Sequence, residues 1–155
     1  MSLENDLQQE QVMHLDVGSF TVVESGTSVK DTVEKMRAEK HNCAIITKGG
    51  TLAGIFTDRD LLNKVVNAPN LWANAIDAVM TESPITVNAH DPAYQALDLM
   101  DEKHFRNVPV VNSQGQVVGN LPHYAIIKYL ADRFPESVYN QPPDPNRIAK
   151  DRDGA

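Results

Sequence analysis

The stretch HNCAIITKGGTLAGIFTDRDLL, residues 41–62, returns 65 residues later as RNVPVVNSQGQVVGNLPHYAII, residues 106–127. Aligned without gaps, Asn42 falls on Asn107, Ile45 and Ile46 on Val110 and Val111, Gly50 on Gly115, Gly54 on Gly119, and Leu61 and Leu62 on Ile126 and Ile127. Two copies of one supersecondary unit must bury related faces, so the repeat constrains the architecture more than any single element does. Upstream, Phe20, Thr21 and Val22 fall on Ile85, Thr86 and Val87 at the same offset. Val33 and Met36 fall on Leu97 and Met100 at 64, which implies one-residue gaps before and after the helix that carries them.

Each copy reads as strand, helix, strand, strand, helix. Residues 20–23 and 85–87 are short β-branched runs bounded by polar residues, which predicts strands. Val29, Val33 and Met36 recur at helical spacing, as do Ala93, Ala96, Leu97 and Met100. Ser28 with Asp31 forms a capping-box pattern, and Asp91 before Pro92 predicts an N-cap followed by proline at the first helical position. The apolar runs 43–47 and 108–111 precede Lys48, Gly49 and Gly50 and the turn-forming residues 112–115, so each predicts a hairpin whose second strand ends near Phe56 or Leu121. Final helices are predicted over 58–66 and 123–133.

The predicted fold class is α/β in the α+β sense: tandem β-α-β-β-α repeats packed about a pseudo-twofold axis into one module with a shared core. An N-terminal extension occupies 1–12, the first repeat 13–66, a linker with Pro69 and Trp72 67–76, and the second repeat 77–133. The remainder, 134–155, is proline-rich and charged without apolar periodicity, which predicts an extended or disordered tail.

A chain of 155 residues can bury a working core, and no apolar run approaches the roughly 18 residues of a membrane span. The opening MSLENDLQQEQ is polar and acidic, unlike a secretory signal. A single cysteine, Cys43, cannot form an internal disulfide; in an apolar run it reads as a small buried hydrophobe, and the chain is expected in a reducing cytoplasm. The net charge of −7 argues against a broad electrostatic grip on nucleic acid or an anionic membrane. His41, His104 and His123 share no ligand-like spacing, which gives no support to a metal site. No serine or cysteine lies in a nucleophile elbow and no acid/base pair is recognisable, so catalysis is not expected.

With these pieces in place, the chain resembles a CBS (cystathionine-β-synthase) domain pair of the small stand-alone bacterial type over residues 13–133. The resemblance is carried by Gly54, Ile55, Phe56, Thr57, Asp58, Arg59 and Asp60, which match the family's glycine, hydroxyl, aspartate pattern after the third strand. Asn107, Val108, Pro109, Val110 and Val111 add to it, as do Ala78, Val79, Met80 and Thr81 followed by Pro84, Ile85, Thr86 and Val87. It implies a regulatory, ligand-sensing module that holds an adenosine compound between the repeats: AMP, ADP or ATP foremost, with S-adenosylmethionine or NADH also in the family's range.

On that resemblance Asp60 accepts the ribose hydroxyls, Thr57 assists at the sugar or phosphate, and main-chain atoms around Thr21, Val22, Asn42 and Ala44 frame the base. Arg106 meets the phosphate and Arg59 assists from the helix start. A carboxylate is suited to the diol because it is acceptor-only and takes two donors. Thr57 with Asp60 is equally a Thr-x-x-Asp helix cap, and both roles remain open. Arg106 is equally readable as a solvated residue at a strand start. In the second copy the equivalents of Thr57 and Asp60 are Pro122 and Ala125, which predicts one ribose-holding site per chain. The family further implies a homodimer through the helical faces and an effector protein of unknown identity. The competing reading is a structural dimerisation or partner-docking module that has lost ligand binding.

Overall fold

The computed structural model describes residues 3–133. The first half comprises β1 (Thr21–Glu24), α2 (Val29–Glu39), β2 (Cys43–Lys48), β3 (Thr51–Thr57) and α3 (Asp58–Asp60), which runs on as a π-turn over Leu61–Val65. They follow α1 (Leu3–Gln9), and a link of 3-10 turns, Pro69–Ala73 and Ile76–Ala78, leads to β4 (Thr81–Glu82). The second half has β5 (Val87–Asn88), α4 (Ala93–Lys103), β6 (Asn107–Val111), β7 (Val117–Pro122) and α5 (His123–Arg133). The tail over 134–155 lies outside the described residues.

In each half the first strand runs parallel to the second, with the helix as crossover, and the second and third form an antiparallel hairpin. Gly49 and Gly50, both at positive φ, turn the first hairpin. Ser28 caps α2 as its spacing predicts, accepting from the Asp31 amide at 3.0 Å. The start of α4 differs from expectation. Pro92, in extended conformation, takes the cap position itself, and Asp91 turns its carboxylate back to accept from the Asn88 amide at 2.8 Å. The strand expected over 85–87 is also displaced, because its ladder with β6 begins only at Val87.

The structure corrects the repeat alignment. Ala44 pairs with Phe56, and Val108 with Leu121; Val23 pairs with Ile46, and Val87 with Val110. The two halves are therefore related by 64 residues from the first strand through the second, and by 65 only from the third strand onward. The extra residue sits in the second hairpin turn. Asn42 corresponds to Arg106, not to Asn107. A one-residue slip moves every strand side chain to the opposite face, so the correction decides what looks into the cleft.

The halves also interleave. The lead-in to each crosses to the sheet of the other: β4 extends the first sheet by pairing with β3, and the Asn120 amide donates to the Val17 carbonyl at 2.9 Å. Glycine is required at both crossings. A Cβ on Gly54 would stand 2.8 Å from the Thr81 carbonyl, and one on Gly119 would stand 2.8 Å from that of Val17. Helix α1, outside the expected repeat, packs on the second half. Leu7, Val12 and Leu15 share a core with Val108, Val110 and Leu121, while Tyr129 donates to Glu10 at 3.2 Å and Arg133 to Asp6 at 3.4 Å.

In place of one shared core there are three clusters. Val29, Met36, Ala44, Ile46, Phe56 and Ile76 fill the first half, with Trp72 against them, and the α1 cluster fills the second. Between the sheets lies a smaller group of Cys43, Ile45 and Ile55, against which Val117 packs from the other half. The position equivalent to Ile55 in the second half is Asn120, fully buried, whose Nδ2 donates to Asn107 at 3.1 Å. The second half thus presents a buried amide where the first presents an isoleucine.

Candidate functional site

The third strand of the first half ends at Thr57, and the helix begins at once. Thr57 is in extended conformation, its hydroxyl accepts from the Asp60 amide at 3.4 Å, and Asp60 Oδ2 accepts from the Thr57 amide at 3.1 Å. This is the reciprocal capping box, so the local role allowed by the sequence is present. The π-turn that follows brings Lys64 round to Asp60, with Nζ 3.2 Å from Oδ1 and donating to the Val79 carbonyl at 2.9 Å. A carboxylate has about four acceptor positions. Thr57 and Lys64 use three, one of them the long 3.4 Å contact from the Thr57 hydroxyl. One acceptor position of Asp60 is left over, and the Thr57 hydroxyl contact is the weakest of the three.

Asp60, with its side chain 16% exposed, borders a cleft of about 1360 Å³ lined from both halves. Thr57, Arg59 and Asn42 line it from the first half, and Arg106 from the second. Five of the eight residues singled out in the sequence therefore meet in one cavity. The other three do not: Thr21 and Ala44 are fully buried in the first sheet, and Val22, though exposed, is not among the residues that line the cleft. The second half contributes to the lining instead through Ser83, Pro84 and Ile85 and through Phe105 and Arg106. Ser83 holds a left-handed backbone (φ 46°), uncommon for serine, where the lead-in turns from β4 into the cavity. The crossing of the lead-ins puts these residues there. Its sequence signal is the pair Gly54 and Gly119, which mark two close backbone approaches.

A second cavity of about 510 Å³ lies at the equivalent place in the other half, where Pro122, Tyr124, Ala125 and Lys128 face Ser19, Lys40, His41 and Asn42. Left-handed residues end the crossover helices identically. Lys40 (φ 60°) and His104 (φ 58°) allow the His41 and Phe105 amides to donate to the Met36 and Met100 carbonyls at 2.9 and 3.0 Å. These caps aim residues 40–42 and 104–106 at their respective cavities.

Cys43 is fully buried, and burial, helped by the carboxylates of Asp58 and Asp60, pushes its thiol up to about 12. It is a packing residue. Among the described residues no three His, Cys, Asp or Glu side chains are grouped to hold a metal, and no helix is long and apolar enough to cross a membrane.

The CBS domain family model matches twice, over residues 11–67 and 76–132. The chain is 31% identical over 116 residues to the CBS domain-containing protein CBSCBSPB2 of Arabidopsis thaliana, covering 73% of this chain and 21% of that protein. It is 32% identical over 123 residues to arabinose 5-phosphate isomerase KdsD of Pseudomonas aeruginosa, covering 79% of this chain and 37% of the isomerase. The chain thus spans about a fifth to a third of the length of these curated relatives. Among solved structures, that of CBSX2 in complex with AMP superposes with a TM-score of 0.70 at 25% identity, covering 79% of this chain and 97% of the other. Two matched repeats, mutually crossed sheets and paired cavities at the helix starts lead to one conclusion: the chain belongs to the CBS domain family and is a tandem CBS pair.

Proposed function

We propose that this CBS pair is a non-catalytic regulatory module that binds an adenine nucleotide in the larger cleft, with Asp60 and Thr57 at the ribose and Arg106 at the phosphate. The observation that carries the reading is the convergence on one cavity of the Thr57 and Asp60 corner with the Arg106 guanidinium of the opposite half, which makes no ion pair among the described residues. The AMP complex of CBSX2 supports the ligand class. The base lies against Ser83, Pro84 and Ile85 rather than against Thr21, Val22 and Ala44, because only the former line this cleft. Asn42 and Arg59 border the same space and complete its polar rim.

A cytoplasmic homodimer is part of the same proposal. Leu62 and Val66 after α3, and Tyr124 and Ile127 on α5, are 47–71% exposed apolar side chains on the two helices expected to form the contact. Ligand binding between the halves biases their arrangement, and an effector reads the shift. Thermal-shift screening against AMP, ADP, ATP, S-adenosylmethionine and NADH tests the reading. Stabilisation by an adenosine compound is expected; no shift at millimolar concentration with any of them favours the docking module.

A further inference from the structure

On the nucleotide reading above, we propose that the larger cleft selects an adenosine monophosphate over the corresponding di- and triphosphate. The charged groups along its wall decide this. Four carboxylates, Asp58, Asp60, Asp98 and Asp101, line it against two guanidinium groups, Arg59 and Arg106, and no lysine does so among the described residues. Of the four, only Asp60 has an ion-pair partner there, Lys64 at 3.2 Å. The wall therefore carries an excess of negative charge, in a chain of net charge −7.

The order of these groups along the chain matters as much as their number. Asp98 and Asp101 are exposed and stand three residues apart on α4, neighbours on one helix face, and the helix ends through the left-handed His104 into Phe105 and Arg106. The cation expected to hold the phosphate thus follows directly on an acidic helix end. Arg59, the other cation, lies between Asp58 and Asp60 in the chain, and its own amide donates to Asp58 at 2.8 Å. The residue after Arg106 adds no charge either. It is Asn107, a neutral amide that also lines the cleft and whose side-chain oxygen accepts from the fully buried Asn120 at 3.1 Å. Arg106 can match one phosphate group, but every further phosphate adds negative charge to a wall already of that sign, and like charges repel.

Calorimetric titrations of the full chain at low salt with AMP, ADP and ATP, in EDTA and again with magnesium, provide the test. In EDTA, AMP should bind at least tenfold more tightly than ATP, with ADP between them. Salt screens the repulsion, so the gap should narrow as ionic strength rises. In the D98N/D101N variant, whose exposed positions leave the core untouched, it should narrow at least threefold at low salt. ATP bound as tightly as AMP by the unaltered chain overturns the proposal. So does a gap that a folded D98N/D101N protein keeps in full. An ATP affinity that magnesium raises above that of AMP, and that D98N/D101N removes, overturns it too, since the aspartates would then hold a metal–triphosphate complex. The two readings fail differently: AMP binding without the gap sinks the selectivity alone, whereas no binding of any adenosine compound sinks both.

Discussion

Asn42 and Arg106 occupy one and the same place in the two halves: each carbonyl accepts the amide that opens the following helix, from Asp58 at 3.1 Å and from His123 at 2.8 Å. The symmetry holds in the backbone and breaks in the side chain, amide on one side and guanidinium on the other. Arg106 is exposed, makes no ion pair among the described residues, and borders the cleft that contains Asp60. Arg106→Ala is therefore expected to weaken AMP about tenfold, the worth of one charge-assisted hydrogen bond, while leaving adenosine unchanged. Parallel titrations with the two ligands check this, and equal losses for both contradict the phosphate role.

Gly54 and Gly119 carry the crossing of the lead-ins. Ala at either position drives a methyl against a neighbouring carbonyl at 2.8 Å, and at Gly54 also against the Met80 sulfur at 2.5 Å. Each substitution should cost about 1–3 kcal/mol in urea denaturation, as overpacking commonly does. Full stability in both variants contradicts the crossed arrangement.

Asp77 ties the link between the halves to the turn after β1. It accepts from the Ser25 hydroxyl at 2.5 Å and from the Gly26 amide at 2.8 Å. These hydrogen bonds, Ser25 first, hold its carboxyl below the ordinary range despite some burial. A carboxyl lowered in the folded state stabilises above its unfolded value, and the contribution disappears as pH falls through the folded one. Asp77→Ala should lower Tm by roughly 2–4 °C at pH 7, for a loss of about 1 kcal/mol, and the gap should close toward pH 3. A gap independent of pH contradicts the assignment.

Cys43 should resist thiol reagents. With the thiol buried and raised to about 12, the thiolate that reacts is absent at pH 8. Ellman's reagent is expected to leave the folded chain unlabelled and to titrate one thiol per chain in guanidinium. Fast labelling of the native protein contradicts the packing.

Much of this was legible in the residues. The repeat, the two hairpins, the helix over 123–133 and the cap at Ser28 follow from turn chemistry and periodicity, which act locally. The register of the second strand did not. Cys43, Ala44, Ile45 and Ile46 are all buried, so the strand is apolar on both faces and alternation gives no phase. A gapless alignment at 65 was as acceptable as the correct 64, and it placed Asn107 where Arg106 belongs. The contribution of residues 83–85 to the cleft depends on a crossing between halves, a long-range event marked only by the two glycines.

The central claim is that Asp60 grips a ribose as well as capping its helix. Isothermal titration of the intact chain with AMP, compared with Asp60→Ala, tests it most directly. The account predicts one AMP per chain and a ten- to hundredfold loss in the variant, from about 1.5–3 kcal/mol of charge-assisted hydrogen bonding. AMP bound with equal affinity by a folded Asp60→Ala protein contradicts it.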